Sequence, residues 1–184
     1  MPRVGVIADT HVPQRLARLP DGIADAFRGV DLILHAGDLN KRWVLDDLNR
    51  IAPTLAVAGN ADRFGSGLPA RRVIEIGGKR IGLTHGHGNW PRYLWRKMID
   101  LLGYNNEFYA RAARAEFERD RVDAVIFGHT HRPYLSTLGG VLVFNPGPVA
   151  PEYYTTRGPQ VGLLRIKPDR LGAEVIEQYI ASIG

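Results

Sequence analysis

The sequence predicts an α/β fold of mixed α and β elements, with a sheet-on-sheet core and helices outside. Three observations carry this. Short runs rich in Val, Ile and Leu recur from the N-terminus with amphipathic stretches between them. Two Gly-Gly pairs each join a pair of apolar runs in the manner of hairpins. A separate interval, 89–121, has helix-forming composition on both sides of Gly103.

Taken in order, "RVGVIAD" at 3–9, "VDLILHAGD" at 30–38 and "PTLAVAGN" at 53–60 read as buried strands, with helices near 20–29 and 41–50. That β-α-β-α-β alternation implies parallel strands joined by right-handed crossovers. "RRVIEIGGKRIGLTHG" then reads as a hairpin turning at Gly77-Gly78, and "PYLSTLGGVLVFNPGP" as a second turning at Gly139-Gly140. The second half is accordingly expected to carry antiparallel strands. "VGLLRIKPDRLGAEVIEQYI" adds two strands about a Pro-Asp turn. Residues 1–184 are expected to form one domain, since a chain of 184 residues needs only one core.

Hydrophobic residues make up 45% and charged residues 23%, which excludes disordered and fibrous classes. No apolar run reaches the roughly 18–20 residues of a membrane span, and the N-terminus lacks a leader's apolar core, so a cytoplasmic location without membrane contact is expected. With no Cys, any metal must be held by His, Asp, Glu or Asn. The net charge of +5 suits an anionic substrate or nucleic acid, but Arg is spread along the chain without a dense cluster.

All six histidines, His11, His35, His85, His87, His129 and His131, lie at or beside the ends of these apolar runs. They share those ends with Asp9, Asp38 and Asn60. Strand ends on one edge of a sheet converge in space. In an extended segment, side chains at i and i+2 share a face, so Asp9 with His11, and His129 with His131, are expected to reach one point. Carboxylates and imidazoles without thiols suit Mn, Fe, Zn or Ni. Two such ions about 3.5–4 Å apart would clamp a phosphoryl group and acidify a water. Gly37, Gly59, Gly86 and Gly128 adjoin four of these residues, as glycine does where backbone crowds a site.

In order, Asp9-x-His11, Gly37-Asp38, Gly59-Asn60, His85-Gly86-His87 and Gly128-His129-Thr130-His131 resemble the blocks of the calcineurin-like metallophosphoesterase superfamily. The chain is most similar to the small single-domain branch that includes the YfcE-type phosphodiesterases, whose third-strand loop reads "GN-x-D", as "GNAD" does at 59–62. The resemblance spans nearly the whole chain; 89–106 reads as a helical insertion relative to short members. It implies a four-layer α-β-β-α sandwich of two mixed sheets. It also implies two divalent transition-metal ions, Mn foremost with Fe, Zn or Ni as alternatives. Asp9, His11 and His131 would hold the first, Asn60, His85 and His129 the second, and Asp38 would bridge. The implied activity is hydrolysis of small or nucleotide-like phosphodiesters by a hydroxide between the metals, with Asn60 drawing on a phosphoryl oxygen.

Many members carry His directly after the metal-binding Asn, where this chain has Ala61. A methyl group cannot donate a proton, so His87 is the candidate acid, and Asp62 is a candidate to orient Asn60 or a water. His35 is expected either to hydrogen-bond a ligand or to fill the core. "FNPGPVAP" at 144–151 resembles the family's late "NPG" turn, with Pro148 where Ser is frequent. Two other functions fit the fold: a non-catalytic scaffold, since the superfamily includes a retromer subunit, and a nuclease on the same centre. The larger nucleases of the superfamily carry extra domains that 184 residues cannot hold, which disfavours nucleic acid as partner. Trp90, Tyr93, Leu94 and Trp95 are expected to pack the first helix onto the core, with a lid or a homodimer face as alternatives, the last testable by light scattering.

Overall fold

The structure is a computed structural model that describes residues 1–62, 66–88, 106–150, 158–167 and 169–177. Strands β1 (Arg3–Ile7), β2 (Leu32–His35) and β3 (Thr54–Ala56) pair in parallel in one five-stranded sheet, ordered β10-β9-β1-β2-β3. The antiparallel pair β9 (Gln160–Ile166) and β10 (Leu171–Glu177) completes it through β1. Helices α1 (Gly22–Ala26) and α2 (Trp43–Asn49) make the two crossovers, shorter at both ends than the apolar pattern suggests.

The second sheet runs β4-β5-β6-β8-β7. Its outer pairs are the two expected hairpins, β4 (Arg71–Ile76) with β5 (Lys79–Thr84) and β7 (Tyr134–Leu138) with β8 (Val141–Asn145). Both turn residues of each hairpin have positive φ, 58° and 75° at Gly77-Gly78 and 57° and 78° at Gly139-Gly140, the geometry that matches strand twist. Between them β6 (Ala124–Ile126) is parallel to both neighbours. The expectation of an antiparallel second half therefore holds for the hairpins and fails at β6, because hairpin turns are local signals and a central strand leaves none.

Alternation along the strands builds the layers. Val4, Val6, Leu34, Ile81, Leu83, Ile126, Phe144 and Leu164 pack between the sheets. On the opposite faces, Ile7 and Ile33 meet Ile23 and Phe27 of the α1 region and Val44 and Leu48 of α2, while Val125 and Val143 meet α3 (Asn106–Ala115) through Ala110 and Ala113. The outcome is the expected α-β-β-α sandwich. Each fully buried Phe contributes about 1.5–3 kcal/mol. Phe144 of β8 lies against Gly162 of β9, where a Cβ would sit 2.4 Å from Cζ, so glycine there lets the sheets close. Of the two helices expected in 89–121, the first lies outside the described residues, as do most of the insertion at 89–106 and the proposed dimer aromatics. Among the described residues no helix is long and apolar enough to cross a membrane.

Candidate metal centre

Every candidate ligand follows the C-terminal end of a strand that is parallel to a neighbour: Asp9 and His11 after β1, Asp38 after β2, Asn60 after β3, His85 after β5, and His129 and His131 after β6. That is the edge where open α/β sheets gather function. The two sheets are stitched together there. The His129 amide donates to both Asp9 carboxylate oxygens at 3.2 and 3.1 Å, and His85 Nδ1 donates to the Ala36 carbonyl at 2.7 Å.

The local geometry differs from the extended segments expected from i, i+2 spacing. Asp9, His11, Asp38, His129 and His131 all have positive φ, between 45° and 71°, in the left-handed region that non-glycine residues rarely adopt. Asp9 and His11 do reach one donor group, but through turns held by the Asp9 amide on the Gly37 carbonyl and the His11 amide on the Asp38 carbonyl, each 3.0 Å, whereas the second pair divides, His131 standing with Asp9 and His11 and His129 beside His85. Such strain persists only where surrounding structure over-determines it.

Asp38 stands at the middle. Its Oδ2 is 3.5 Å from His11 Nε2 and its Oδ1 is 3.4 Å from His85 Nε2, so the two oxygens face two different groups of donors. On the first side, His131 Nε2 lies 3.3 Å from both Asp9 Oδ1 and His11 Nε2, and one donor atom from each of Asp9, His11, Asp38 and His131 falls within 4.8 Å of the others. On the second, His85 Nε2 is 3.1 Å from Asn60 Oδ1, with the His129 ring 5.2 Å from that of His85. Buried carboxylates and imidazole nitrogens crowded at these distances fit divalent transition-metal ions, the donor set anticipated for the centre.

Burial opposes charge at this site, and the ion pairs override it selectively. At Asp38 burial favours the neutral acid, yet His85 and the Ala61 amide hold its carboxyl well below the usual range. Burial likewise disfavours a charged His85, but Asp38 and Asp9 raise it to about 9. At His35 and His129 burial outweighs the pull of Asp9 and Asp38 and pushes each from 6.5 down to about 3. The linkage has opposite signs for the two classes. The neutral state of His35 and His129 contributes stability present above pH 6.5 and lost as pH falls toward 3; the His85 cation contributes stability present below 6.5 and lost as pH rises through 9. Metal-free protein should therefore be most stable near neutrality and weaker on both sides, by on the order of a few kcal/mol at the acid end. Urea melts across pH 4–10 check this, and a monotonic profile would contradict it.

His87 stands beside the centre, its ring centroid 5.3 Å from His85 and 6.2 Å from His129, so it does turn toward the site. Asp62 has a different place from the one expected. Its carboxylate accepts the amides of Asp38 and Gly59 at 2.8 Å each and of Asn40 at 2.7 Å, which makes it a brace between the β2 and β3 loops. No contact joins it to the Asn60 side chain among the described residues. His35 also braces a loop: its Nδ1 accepts the Gly37 amide at 3.1 Å and its Nε2 donates to Thr10 Oγ1 at 3.2 Å, between Asp9 and His11. Asn145, which the sequence pattern did not single out, donates to the Gly128 carbonyl at 2.9 Å and Thr130 Oγ1 at 3.1 Å. It holds the turn that carries His129 and His131; its only signal is the "NPG" turn, which follows through the Gly147 amide on Asn145 Oδ1.

The family model described as the calcineurin-like phosphoesterase superfamily domain matches residues 3–169. A probable metallophosphoesterase of Methanothermobacter thermautotrophicus is 38% identical over 177 residues, covering 94% of this chain and 91% of that one. Among solved structures, wild-type Vps29 of Entamoeba histolytica complexed with zinc superposes with a TM-score of 0.69 at 26% identity, over 95% of this chain and 98% of the other. An archaeal phosphodiesterase superposes with a TM-score of 0.63 over 95% and 99%; its 21% identity bears on the fold alone. Sequence match, two-sheet sandwich and clustered carboxylates and histidines agree, and the chain belongs to the calcineurin-like phosphoesterase superfamily.

Proposed function

We propose that the chain is a phosphodiesterase acting on small or nucleotide-like diesters, with two divalent ions held by Asp9, His11 and His131 on one side, by Asn60, His85 and His129 on the other, and by Asp38 between them. The observation that carries the reading is Asp38, whose two oxygens face two separate donor groups at 3.5 and 3.4 Å. When bound, the ions supply positive charge to the phosphoryl oxygens and acidify the attacking water, with Mn the first to try.

The protein's own groups do the rest. Asn60 places a side-chain amide beside His85, where it can hold a non-bridging phosphoryl oxygen. Donation of the His85 Nδ1 proton to Ala36 O turns Nε2 toward the centre. Ala61 contributes only its amide, 2.7 Å from Asp38 Oδ1, so the proton for the leaving oxygen falls to His87.

The direct test is hydrolysis of bis-p-nitrophenyl phosphate by chelator-stripped protein with and without Mn²⁺, beside p-nitrophenyl phosphate. Metal-restored cleavage that favours the diester is expected; a clear preference for unactivated alkyl monoesters would overturn the reading. His87→Ala should keep both metals and lose about 10²- to 10⁴-fold on a diester with a poor alkoxide leaving group, but far less on p-nitrophenolate, which departs unprotonated. Equal losses on both would remove His87 as the acid. The likeness to Vps29 favours one second reading, a scaffold, which absence of turnover in protein carrying two metals would support.

A further inference from the structure

The loops that present His11, Asp38 and Asn60 continue into the wall of a cavity of about 480 Å³, whose lining includes Gln14, Asn40, Lys41, Arg42, Ala61 and Asp62. This volume lies within the usual range for small-molecule sites. Ala61 belongs to both places: its amide holds Asp38 Oδ1 at 2.7 Å, and its short side chain leaves open the room a larger one would take.

The charge on this wall is one-sided. Lys41 and Arg42 are exposed and form no ion pair among the described residues, although Arg18, Arg28, Arg50, Arg71, Arg80 and Arg111 each pair with a carboxylate. Among the described residues Asp62 is the one carboxylate lining the cavity, and three backbone amides already occupy its oxygens. Asn40 adds a second anomaly. Both its amide atoms are buried with no hydrogen-bond partner among the described residues, and φ is 73°. A buried amide left this way is costly, and an oxygen-rich ligand entering beside it would accept from its Nδ2. Two cations, one a planar guanidinium suited to forked contact with phosphate, beside an amide without partners describe a receptor for a phosphate group.

We infer, on the phosphodiesterase reading above, that this cavity receives one arm of the diester and selects arms that carry a phosphate of their own. The scissile phosphorus sits at the metal centre, and the arm's terminal phosphate meets Lys41 and Arg42. The preferred substrates are then phosphorylated nucleotide-like diesters rather than diesters with neutral arms.

The test pairs a binding and a turnover measurement on the full chain. Calorimetry compares thymidine 3′,5′-bisphosphate with thymidine 5′-phosphate, and kinetics compare thymidine 5′-(p-nitrophenyl phosphate) with and without a 3′-phosphate. The phosphorylated member of each pair should be favoured by about tenfold or more. The double variant Lys41→Ala/Arg42→Ala should lose that preference. Arg18→Ala/Arg28→Ala, which removes the same charge elsewhere, should keep it. Equal affinities in the parent protein, or a preference that survives the Lys41/Arg42 change, would overturn the assignment. Bisphosphate preference in binding without any hydrolysis would uphold the cavity and sink the phosphodiesterase, whereas hydrolysis without the preference would do the reverse.

Discussion

Asp38→Ala should lower diester turnover by at least about 10³-fold and remove tight binding of both metals. The side chain is buried, its two oxygens are 3.5 Å from His11 and 3.4 Å from His85, and Oδ1 also accepts the Ala61 amide. Losing it removes the carboxylate whose two oxygens face the two donor groups and unties the loop that carries Asn60. Charge stabilisation by bound metal is worth several kcal/mol in a transition state, and each 1.36 kcal/mol is tenfold in rate, which sets the magnitude at about 10³ or more. His85 loses the main partner of its cation, so its pKa should fall from about 9 toward or below the ordinary value, visible by NMR in metal-free protein. Elemental analysis beside kinetics decides the matter. Two metals per chain with near-parental turnover would remove Asp38 from the centre.

Gly59→Ala should be nearly as damaging although no ligand is deleted. A Cβ at position 59 would lie 2.1 Å from Asp38 Oδ1 and 2.5 Å from the Asp38 amide, well inside contact distance, so one of the two loops must move. Overpacking of this kind typically costs about 1–3 kcal/mol in stability. The larger effect is on chemistry, because a misplacement of about 1 Å at a reacting centre can cost 10²-fold. Gly172→Ala is the control, since a Cβ there meets nothing within 4 Å. The expectation is a roughly 100-fold or greater loss of turnover for the first and a change within about twofold for the second. Retention of full activity by Gly59→Ala would mean that Asp38 does not need its position.

These glycines illustrate how much was legible in advance. Their placement beside Asp38, Asn60, His85 and His129 is plain in the sequence, and crowding was the expected reason. The structure supplies the identity of the crowding: Gly37 against the His85 ring, Gly59 against Asp38, Gly128 against Asp9. Each contact joins loops far apart in the chain, which is why periodicity could not name the partners. The i, i+2 spacing paired Asp9 with His11 rightly but by the wrong route, since they meet through left-handed turns, and it paired His129 with His131 although the first stands beside His85 and the second with Asp9 and His11. Spacing reports that two residues are near in sequence; only hydrogen bonds such as His129 to Asp9 decide which backbone conformation brings them together.

The sequence by itself determined the three parallel strands of the first sheet, both Gly-Gly hairpins and the list of candidate ligands, because strand period, turn chemistry and residue type are local properties. Tertiary structure alone decided that β6 runs between its neighbours in parallel, that Asp62 and His35 act as braces on loops, and that Asn145 supports the His129–His131 turn. It also decided that Lys41, Arg42 and Asn40 share one cavity with Ala61. Those facts depend on which elements pack side by side, and that is settled by burial of the shared apolar faces between and outside the two sheets, a property of the whole chain.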